Sequence, residues 1–268
     1  MFFDPSFWLE LALKMAMTAA IVVAASIVVE RSGPFIGAMI AARPTAAGAV
    51  YIILAIEHPP AFIASSAIGS LAANAAVAVF ALAYAALAQT RGLFVSLGGA
   101  IAVWFLCAAA LHPITWTPWS ALALNAVIFA VTIPAGRGYR TEGAAQGQTQ
   151  ARPSDIALRA ATVAICVAIV TTASHSIGSF ASGMFAVFPV AMASFVMILH
   201  PRIGGTATAS VLAHTHAPLV GLGLGFVAVH YLAGPIGVWW SFSVGLAICI
   251  AWNGLLWLAR EFRGRAAT

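Results

Sequence analysis

Residues 33–66 read GPFIGAMIAARPTAAGAVYIILAIEHPPAFIASS, an apolar stretch interrupted by Arg43-Pro44 and again by Glu57-His58-Pro59-Pro60. A second stretch, residues 178–210, reads GSFASGMFAVFPVAMASFVMILHPRIGGTATAS. An offset of 145 aligns four pairs of residues: Gly33 with Gly178, Phe35 with Phe180, Met39 with Met184, and Pro44 with Pro189. After a gap of three residues, His58-Pro59 aligns with His200-Pro201. The chain therefore reads as two halves built around two related stretches.

The composition indicates which solvent surrounds the chain. Of the 268 residues, 62% are hydrophobic and 7% are charged, whereas soluble domains carry about 25% charged residues. So few charges cannot cover a water-exposed surface, and most of the chain is predicted to lie in lipid. The net charge of +5 comes from arginines spread over short loops and does not indicate a nucleic-acid partner. The three cysteines lie in apolar runs without metal-binding spacing and are predicted to be buried thiols.

A membrane-spanning helix needs about 20 mostly apolar residues. Nine segments meet or approach this length, at about residues 8–29, 34–56, 61–88, 93–111, 120–133, 156–172, 177–199, 204–229 and 234–258. The only clear linker, residues 136–153, is polar and rich in Gly, Gln and Ala. It divides the chain into a first membrane half, residues 1–135, and a second half with a basic tail, residues 154–268. The predicted fold class is an all-α polytopic membrane protein.

Loop charge predicts the orientation of these nine segments. Ten arginines fall on one side of the membrane and no Lys or Arg falls on the other, while Lys14 and Arg43 lie inside predicted helices. Positively charged loops face the cytoplasm. The C-terminus is therefore predicted to be cytoplasmic and the N-terminus external, in the inner (plasma) membrane. The N-terminal MFFDPSFW has no positive region, so no cleavable signal peptide is predicted.

The repeat predicts that the two halves have inverted topology. It begins with the first segment in one half and the sixth in the other, and an odd number of crossings between equivalent segments reverses their direction. Inverted repeats with broken helices are typical of secondary transporters. The alternative is a chance alignment of small apolar residues in a chain rich in Ala and Gly.

Gly33-Pro34 and Pro44 in the first half, and Gly178 and Pro189 in the second, are predicted to break helices at matching depth. Broken helices place positive N-terminal ends near the midplane, where they can attract an anion. Proline kinks without a ligand are the alternative.

Arg43 is the most informative single residue. It is predicted near the bilayer centre, where a charge costs about 2.5–3.5 kcal/mol on insertion scales. Its aligned counterpart is Phe188, so the shared scaffold does not require it. Arg43 is predicted to be a fixed cation that binds an anionic substrate. The alternatives are an ion pair with Glu10 or Glu57, or an arginine at the membrane interface.

Further polar residues complete the candidate substrate site. Asn74 and His216 fall at matching depth in the two halves, and His214 or His216 could carry a proton near neutral pH. Helix–helix hydrogen bonding is the alternative role. The candidate substrate-binding residues are Arg43, Pro44, Thr45, Asn74, Pro189, His214 and His216.

Two pairs of polar residues are predicted at opposite mouths of the protein. Glu57 and His58 should lie near the outer surface, and His200 and Arg202 near the inner surface, where they could gate substrate entry. The alternative is that they are merely polar helix ends. Ser154 or Asp155 can cap the sixth segment. Asn125 and Asn253 are predicted to make interhelical hydrogen bonds.

The run from Pro34 to Ala46, followed by Glu57-His58-Pro59-Pro60, resembles the HPP family of small integral membrane proteins, which is named for a His-Pro-Pro motif. The resemblance covers about 40 of 268 residues. It implies a transporter, since that family is thought to comprise transporters, with nitrite proposed as a substrate for some members. This chain has more predicted segments than the four or so of that family, and its second copy reads His200-Pro201-Arg202.

The sequence contains no GxSxG, HExxH or Walker A motif and no pair of intramembrane carboxylates, so it is not predicted to be an enzyme. No cofactor and no metal site are predicted. The predicted function is secondary transport of a small anionic solute by alternating access, with proton coupling through a histidine as an option. The partners are the lipid bilayer and the solute, and a homo-oligomer is compatible with the sequence. A small-solute channel and a non-transporting membrane subunit or scaffold remain open as alternatives.

Overall fold

The computed structural model describes residues 45–140 and 152–266, with isolated helical positions between residues 9 and 20. The described part is all-helical, with 87% helix and no strand, which confirms the all-α part of the predicted fold class. The helices in the two long ranges are α1 (Thr45–Glu57), α2 (Pro60–Leu87), α3 (Leu93–Leu111), α4 (Pro118–Arg137), α5 (Pro153–Ala186), α6 (Val190–Ile203), α7 (Gly205–Ala213), α8 (His216–Leu232) and α9 (Val238–Ala266).

Five of these helices, α2, α3, α4, α5 and α9, are long and apolar enough to cross a membrane. Helices α7 and α8 meet at a bend of 41° and form a sixth span if they are counted together. Helices α1 and α6 are apolar but shorter. The predicted first segment and residues 34–44 of the second lie outside the long described ranges. The described part thus contains five or six candidate spans, and the total of nine stays a prediction.

Helix α4 is longer than predicted. It covers 20 residues and continues through Pro134 to Arg137, whereas the sequence predicted a short segment at residues 120–133. Its start is fixed by a capping box, in which Thr117 Oγ1 accepts from the Ser120 backbone N–H at 3.2 Å. The N-terminal end of the predicted linker is therefore helical, because Gly136 lies in the last turn of α4.

The boundary predicted between the sixth and seventh segments, near residues 172–177, lies at Gly178 instead. Helix α5 runs through this region, and a kink occurs at Gly178, which adopts φ 78° and ψ 172°. The polar run TTASHS does not end the helix because Thr171 Oγ1 and Ser174 Oγ donate back to helix carbonyls, at 2.9 and 2.6 Å. A second break follows between α5 and α6, immediately before Val190. The predicted breaks at Gly178 and Pro189 are thus confirmed.

The cap predicted for α5 is also corrected. Its N-cap is Arg152 rather than Ser154 or Asp155. The Asp155 carboxylate instead reaches back and accepts from the Arg152 backbone N–H at 2.8 Å. A carboxylate three residues into a helix satisfies one of the backbone donors at the helix start.

Helix α2 lies at the centre of the protein. In its most apolar window, 72% of the residues are buried, compared with 22% for α3 and 11% for α9. Helix α2 contacts α3, α4, α5, α7 and α8. Large apolar side chains such as Phe94, Trp119 and Trp240 are 90%, 71% and 70% exposed on the outer helices, as expected for a surface that faces lipid. The buried centre of the fold is therefore formed around α2.

The helix boundaries repeat at the offset that aligns the two sequence stretches. Helices α1 and α6 begin at residues 45 and 190, α2 and α7 at 60 and 205, and α3 and α9 at 93 and 238. Helices α2 and α8 end at residues 87 and 232. Each pair is separated by 145 residues, so the boundaries require no three-residue gap. With this alignment the counterpart of Asn74 is Leu219 rather than His216.

Candidate functional site

Two buried asparagines join the central helices where α2, α4 and α8 meet. Asn74 Nδ2 donates to Asn125 Oδ1 at 2.9 Å and to the Leu219 carbonyl at 3.0 Å. Asn125 Nδ2 donates to the carbonyls of Leu71 and Ala121, at 2.7 and 2.8 Å. These acceptors fix the orientation of both amides, because a flipped amide would place oxygen against oxygen. The predicted interhelical role of Asn125 is confirmed, whereas Asn253 donates within its own helix, to the Cys249 carbonyl at 2.7 Å.

The Asn74 side chain is held by the protein through its amide nitrogen. Both acceptors of its amide hydrogens belong to the protein. Its Oδ1 atom is buried and receives no hydrogen bond from the residues that the structure describes. One acceptor at the centre of the fold thus remains for a water or a solute.

Residues related by the offset of 145 meet each other at this crossing. Asn74 donates to the carbonyl of its own counterpart, Leu219. Two residues exchanged by a two-fold rotation contact each other only when both lie close to the rotation axis. A two-fold axis that related the two units would therefore have to pass close to this contact.

A second contact at the crossing has a matching partner. His216 Nε2 lies 3.2 Å from the Ala78 carbonyl. The counterpart of His216, 145 positions earlier, is Leu71, and the counterpart of Ala78, 145 positions later, is Gly223. A Cβ atom built on Gly223 would lie 3.4 Å from Leu71 Cδ1. Contacts that recur when the partners are exchanged are expected at an interface between two-fold related units. The pairs Ala78–His216 and Leu71–Gly223 both lie where α2 packs against α8.

His216 is fully buried, and both of its ring nitrogens face carbonyl oxygens. Nδ1 lies 3.2 Å from the Ala213 carbonyl, and Nε2 lies at the same distance from the Ala78 carbonyl. A neutral imidazole has one N–H and can donate to only one of these oxygens, whereas a protonated ring donates to both. Arg140 Nη2 also donates to the Ala213 carbonyl, at 3.2 Å, and places a positive charge near His216.

His214 does not share this environment. It is exposed, and its Nδ1 lies 2.7 Å from the Ser210 carbonyl of the preceding helix turn. The bend between α7 and α8 separates the two histidines. The sequence does not predict this bend, and it offers either histidine as a proton carrier. The structure places only His216 in the core.

The break before α6 leaves a buried helix N-terminus. Pro189, Val190 and Ala191 are buried, and no side chain caps the helix. The backbone N–H groups of a helix start carry partial positive charge and can bind an anion. The neighbouring Phe188 packs on Trp104, with ring centroids 4.9 Å apart. Trp104 is fully buried, and its Nε1–H meets no acceptor among the described residues.

The predicted inner-mouth residues are held by partners from two other helices. Arg202 forms a bidentate ion pair with Asp155, with N–O distances of 2.8 and 2.6 Å. His200 Nδ1 lies 2.7 Å from the hydroxyl of Tyr84, which is fully buried. The end of α6 is thus tied to the start of α5 and to the last turns of α2. We call these four residues the α6-end cluster.

The predicted outer-mouth residues are held by α5. Glu57 Oε2 lies 3.8 Å from His175 Nε2. His58 Nε2 lies 2.8 Å from Ser174 Oγ, and its ring stacks on Phe62 with centroids 3.8 Å apart. We call Glu57, His58, Ser174 and His175 the α1-end cluster. Sequence reasoning missed Ser174 and His175, although a polar TTASHS run inside an apolar span was a signal that could have identified them.

The predicted substrate-binding set is only partly assembled. Arg43 and Pro44 lie outside the described residues, and Thr45 is the first residue of α1, with its side chain outside the described part. Asn74 and His216 both lie at the crossing of α2 and α8, whereas Pro189 lies at the start of α6. The prediction that these residues share one substrate site is therefore still open.

Replacing Asn125 with alanine is expected to destabilise the protein by about 2–3 kcal/mol, because the buried Leu71 carbonyl and the Asn74 amide would each lose a partner. Asn253→Ala is the matched control, since the amide of Asn253 donates within its own helix. Thermal unfolding of both variants in the same detergent measures the difference. An Asn125→Ala midpoint equal to that of Asn253→Ala would contradict the network.

No protein-family model, no curated protein and no solved structure matches this chain. The resemblance to the HPP family therefore stays a hypothesis.

Proposed function

We propose that this protein is a secondary transporter that moves a small anionic solute across the inner membrane by alternating access. The observation that carries the proposal is the repetition of helix boundaries at an offset of 145, from α1 and α6 through α3 and α9. Helix α4 has no counterpart in this series. Two four-segment units with one additional crossing between them have opposite orientations, and they give the nine spans predicted from the sequence. Inverted repeats of this kind are a recurring plan of secondary transporters.

The contacts at the helix crossing support a two-fold relation between the units. Asn74 meets its own counterpart, Leu219, and the pairs Ala78–His216 and Leu71–Gly223 are exchanged by the offset. A pseudo-two-fold axis in the membrane plane would then pass through the middle of the protein. Transporters with this symmetry bind substrate near the midplane, between the repeats.

Two short helices provide the anion-binding features of the proposal. Helices α1 and α6 begin at equivalent positions, each directly after a proline, and the start of α6 is buried without a side-chain cap. Arg43 precedes α1 by two residues and adds a full positive charge to this part of the sequence. Paired helix N-termini with one guanidinium favour a small anion over a cation or a neutral solute.

The same two helices end in the two polar clusters. Helix α1 ends in the α1-end cluster and α6 ends in the α6-end cluster. Arginines lie at the α6 end, and the loops beside the α1 end contain no Lys or Arg, so the α1-end cluster is assigned to the external side. In an alternating-access cycle, each mouth opens when α1 or α6 separates from its partners on α5 and α2. His216 supplies the site for proton coupling.

A substrate screen tests the proposed function. The purified protein is heated in the presence of small inorganic and organic anions, and a true substrate is expected to raise the unfolding temperature because it binds only the folded state. The best anion is then measured for uptake into liposomes, where an imposed proton gradient should drive accumulation above the external concentration. Equilibration without accumulation would indicate a channel. A protein that neither responds to any anion nor transports one would contradict the proposal.

A further inference from the structure

We propose that Glu57, His58 and His175 form a binding site for a divalent transition metal ion of the zinc class. One ligand atom from each of these three residues lies within 4.8 Å of the others. Two of the residues come from the end of α1, and the third comes from α5, 117 positions further along the chain. The site is therefore created by the fold and has no sequence motif.

The donor set selects the class of metal. Two imidazoles and one carboxylate are common ligands of zinc, with a water in the fourth position. Calcium and magnesium prefer oxygen donors throughout, which this cluster does not provide. Ligand atoms on one tetrahedral zinc lie about 3.3 Å apart, given metal–ligand bonds of about 2.0–2.1 Å. The Glu57–His175 distance of 3.8 Å is close to this separation and too long for a hydrogen bond.

The surroundings hold two ligands in place and allow the third to adjust. The Glu57 side chain is 12% exposed and both of its carboxylate oxygens are buried, a position in which a nearby cation is strongly favourable. The His58 ring is held between Phe62 and Ser174, and the Ser174 hydroxyl itself donates to the Thr171 carbonyl. Zinc-binding histidines are commonly oriented by such a second hydrogen bond. The His175 side chain is 59% exposed and can rotate toward the other two.

The metal would link the end of α1 to α5, which already meet through the Glu57–His175 contact and the His58–Ser174 hydrogen bond. The α6-end cluster has a bidentate Asp155–Arg202 ion pair, whereas the contact between Glu57 and His175 is longer, at 3.8 Å. A bound zinc would replace this contact with two coordinate bonds and would hold the end of α1 against α5. The metal site does not depend on the transport proposal, because binding and stability can be measured without a substrate.

Zinc titration of the tag-free, full-length protein in detergent tests the site, with free zinc reported by a chromogenic chelator. The wild type is expected to bind one zinc per chain and to unfold at a higher temperature with zinc present. His175→Ala and His58→Ala should each weaken binding by about 100-fold or more, since even residues that only orient a ligand contribute 10- to 100-fold. A visible absorption spectrum with cobalt in place of zinc reports the number of ligands.

His112→Ala is the matched control, because His112 is an exposed histidine at the end of α3 and does not belong to the cluster. It should bind zinc as the wild type does. His175→Ala is expected to fold, since most of its side chain faces outward. Equal zinc affinity in the wild type and His175→Ala would overturn the proposal, and so would an equal loss in His112→Ala.

Discussion

The Gly183→Ala variant is expected to unfold at a markedly lower temperature than the wild-type protein. A Cβ atom at this position would lie 1.8 Å from the Ser66 carbonyl oxygen. Helix α2 has a matching glycine, since a Cβ atom on Gly69 would lie 2.1 Å from the Phe180 carbonyl oxygen of α5. Both obstacles are backbone atoms, so no side chain can rotate away, and α5 would have to move away from α2. Small residues allow this close approach of membrane helices.

Separating α2 from α5 would also break a chain of buried hydrogen bonds. Ser70 Oγ donates to the Gly183 carbonyl at 2.6 Å, and the Tyr51 hydroxyl lies 2.7 Å from Ser70 Oγ. The combined cost of strain and lost hydrogen bonds is about 3 kcal/mol or more. Thermal unfolding in detergent, followed by the loss of the monodisperse peak in size-exclusion chromatography, measures this effect.

Gly98→Ala provides the control for an added methyl group. Gly98 lies inside α3, and a Cβ atom there would meet nothing within 4 Å. This variant should be as stable as the wild type or up to about 1 kcal/mol more stable, because alanine favours a helix over glycine. If Gly183→Ala and Gly98→Ala unfold at the same temperature, the close packing of α2 on α5 is incorrect.

The sequence predicts helices well where proline or glycine marks the start of an apolar run. Segment 93–111 matches α3 at both ends, and segment 61–88 differs from α2 by one residue at each end. Pro59-Pro60 and Gly92 mark these boundaries, since proline is accepted in the first turn of a helix and glycine readily leaves it. Such residues act through the local backbone, which the sequence shows directly.

The same local rules fail where side chains compensate for an apparent helix end. The run TTASHS reads as a boundary, but Thr171 and Ser174 donate to carbonyls of their own helix, and α5 continues to Gly178. Pro134 reads as a helix end, but α4 continues past it to Arg137. In both cases the tertiary environment of a long apolar helix outweighs local propensity.

The candidate site was harder to predict because its contacts join distant parts of the chain. His58 and Ser174 are 116 residues apart, and Asn74 and Leu219 are 145 apart. A sequence shows which residues can ligate or hydrogen-bond, but the partner depends on how the helices pack. The predicted mouth residues Glu57, His58, His200 and Arg202 were found at helix ends, and their partners on α2 and α5 became apparent only from the fold.

The Arg43→Ala variant is expected to lose anion uptake while it still inserts and folds. Arg43 is the one charged residue of the first stretch that aligns with an aromatic residue, Phe188, in the second. Phe188 packs against Trp104 and Phe105, with centroids 4.9 and 5.7 Å apart, so this position serves packing in the second half. Removing a charge from a membrane segment makes insertion easier by about 2.5–3.5 kcal/mol, so Arg43→Ala is expected to insert at least as well as the wild type.

Two variants separate a substrate-binding role for Arg43 from a general charge effect. Arg43→Lys should keep part of the uptake, because lysine retains the charge but not the planar fork that binds an anion through two hydrogen bonds. Arg91→Ala, which removes an exposed arginine from the loop between α2 and α3, should transport as the wild type does. Uptake and the anion-induced rise in unfolding temperature should fall together in Arg43→Ala, because both depend on the same bound anion. Wild-type uptake in Arg43→Ala would exclude Arg43 from the substrate site. It would favour the alternative that Arg43 forms a structural ion pair.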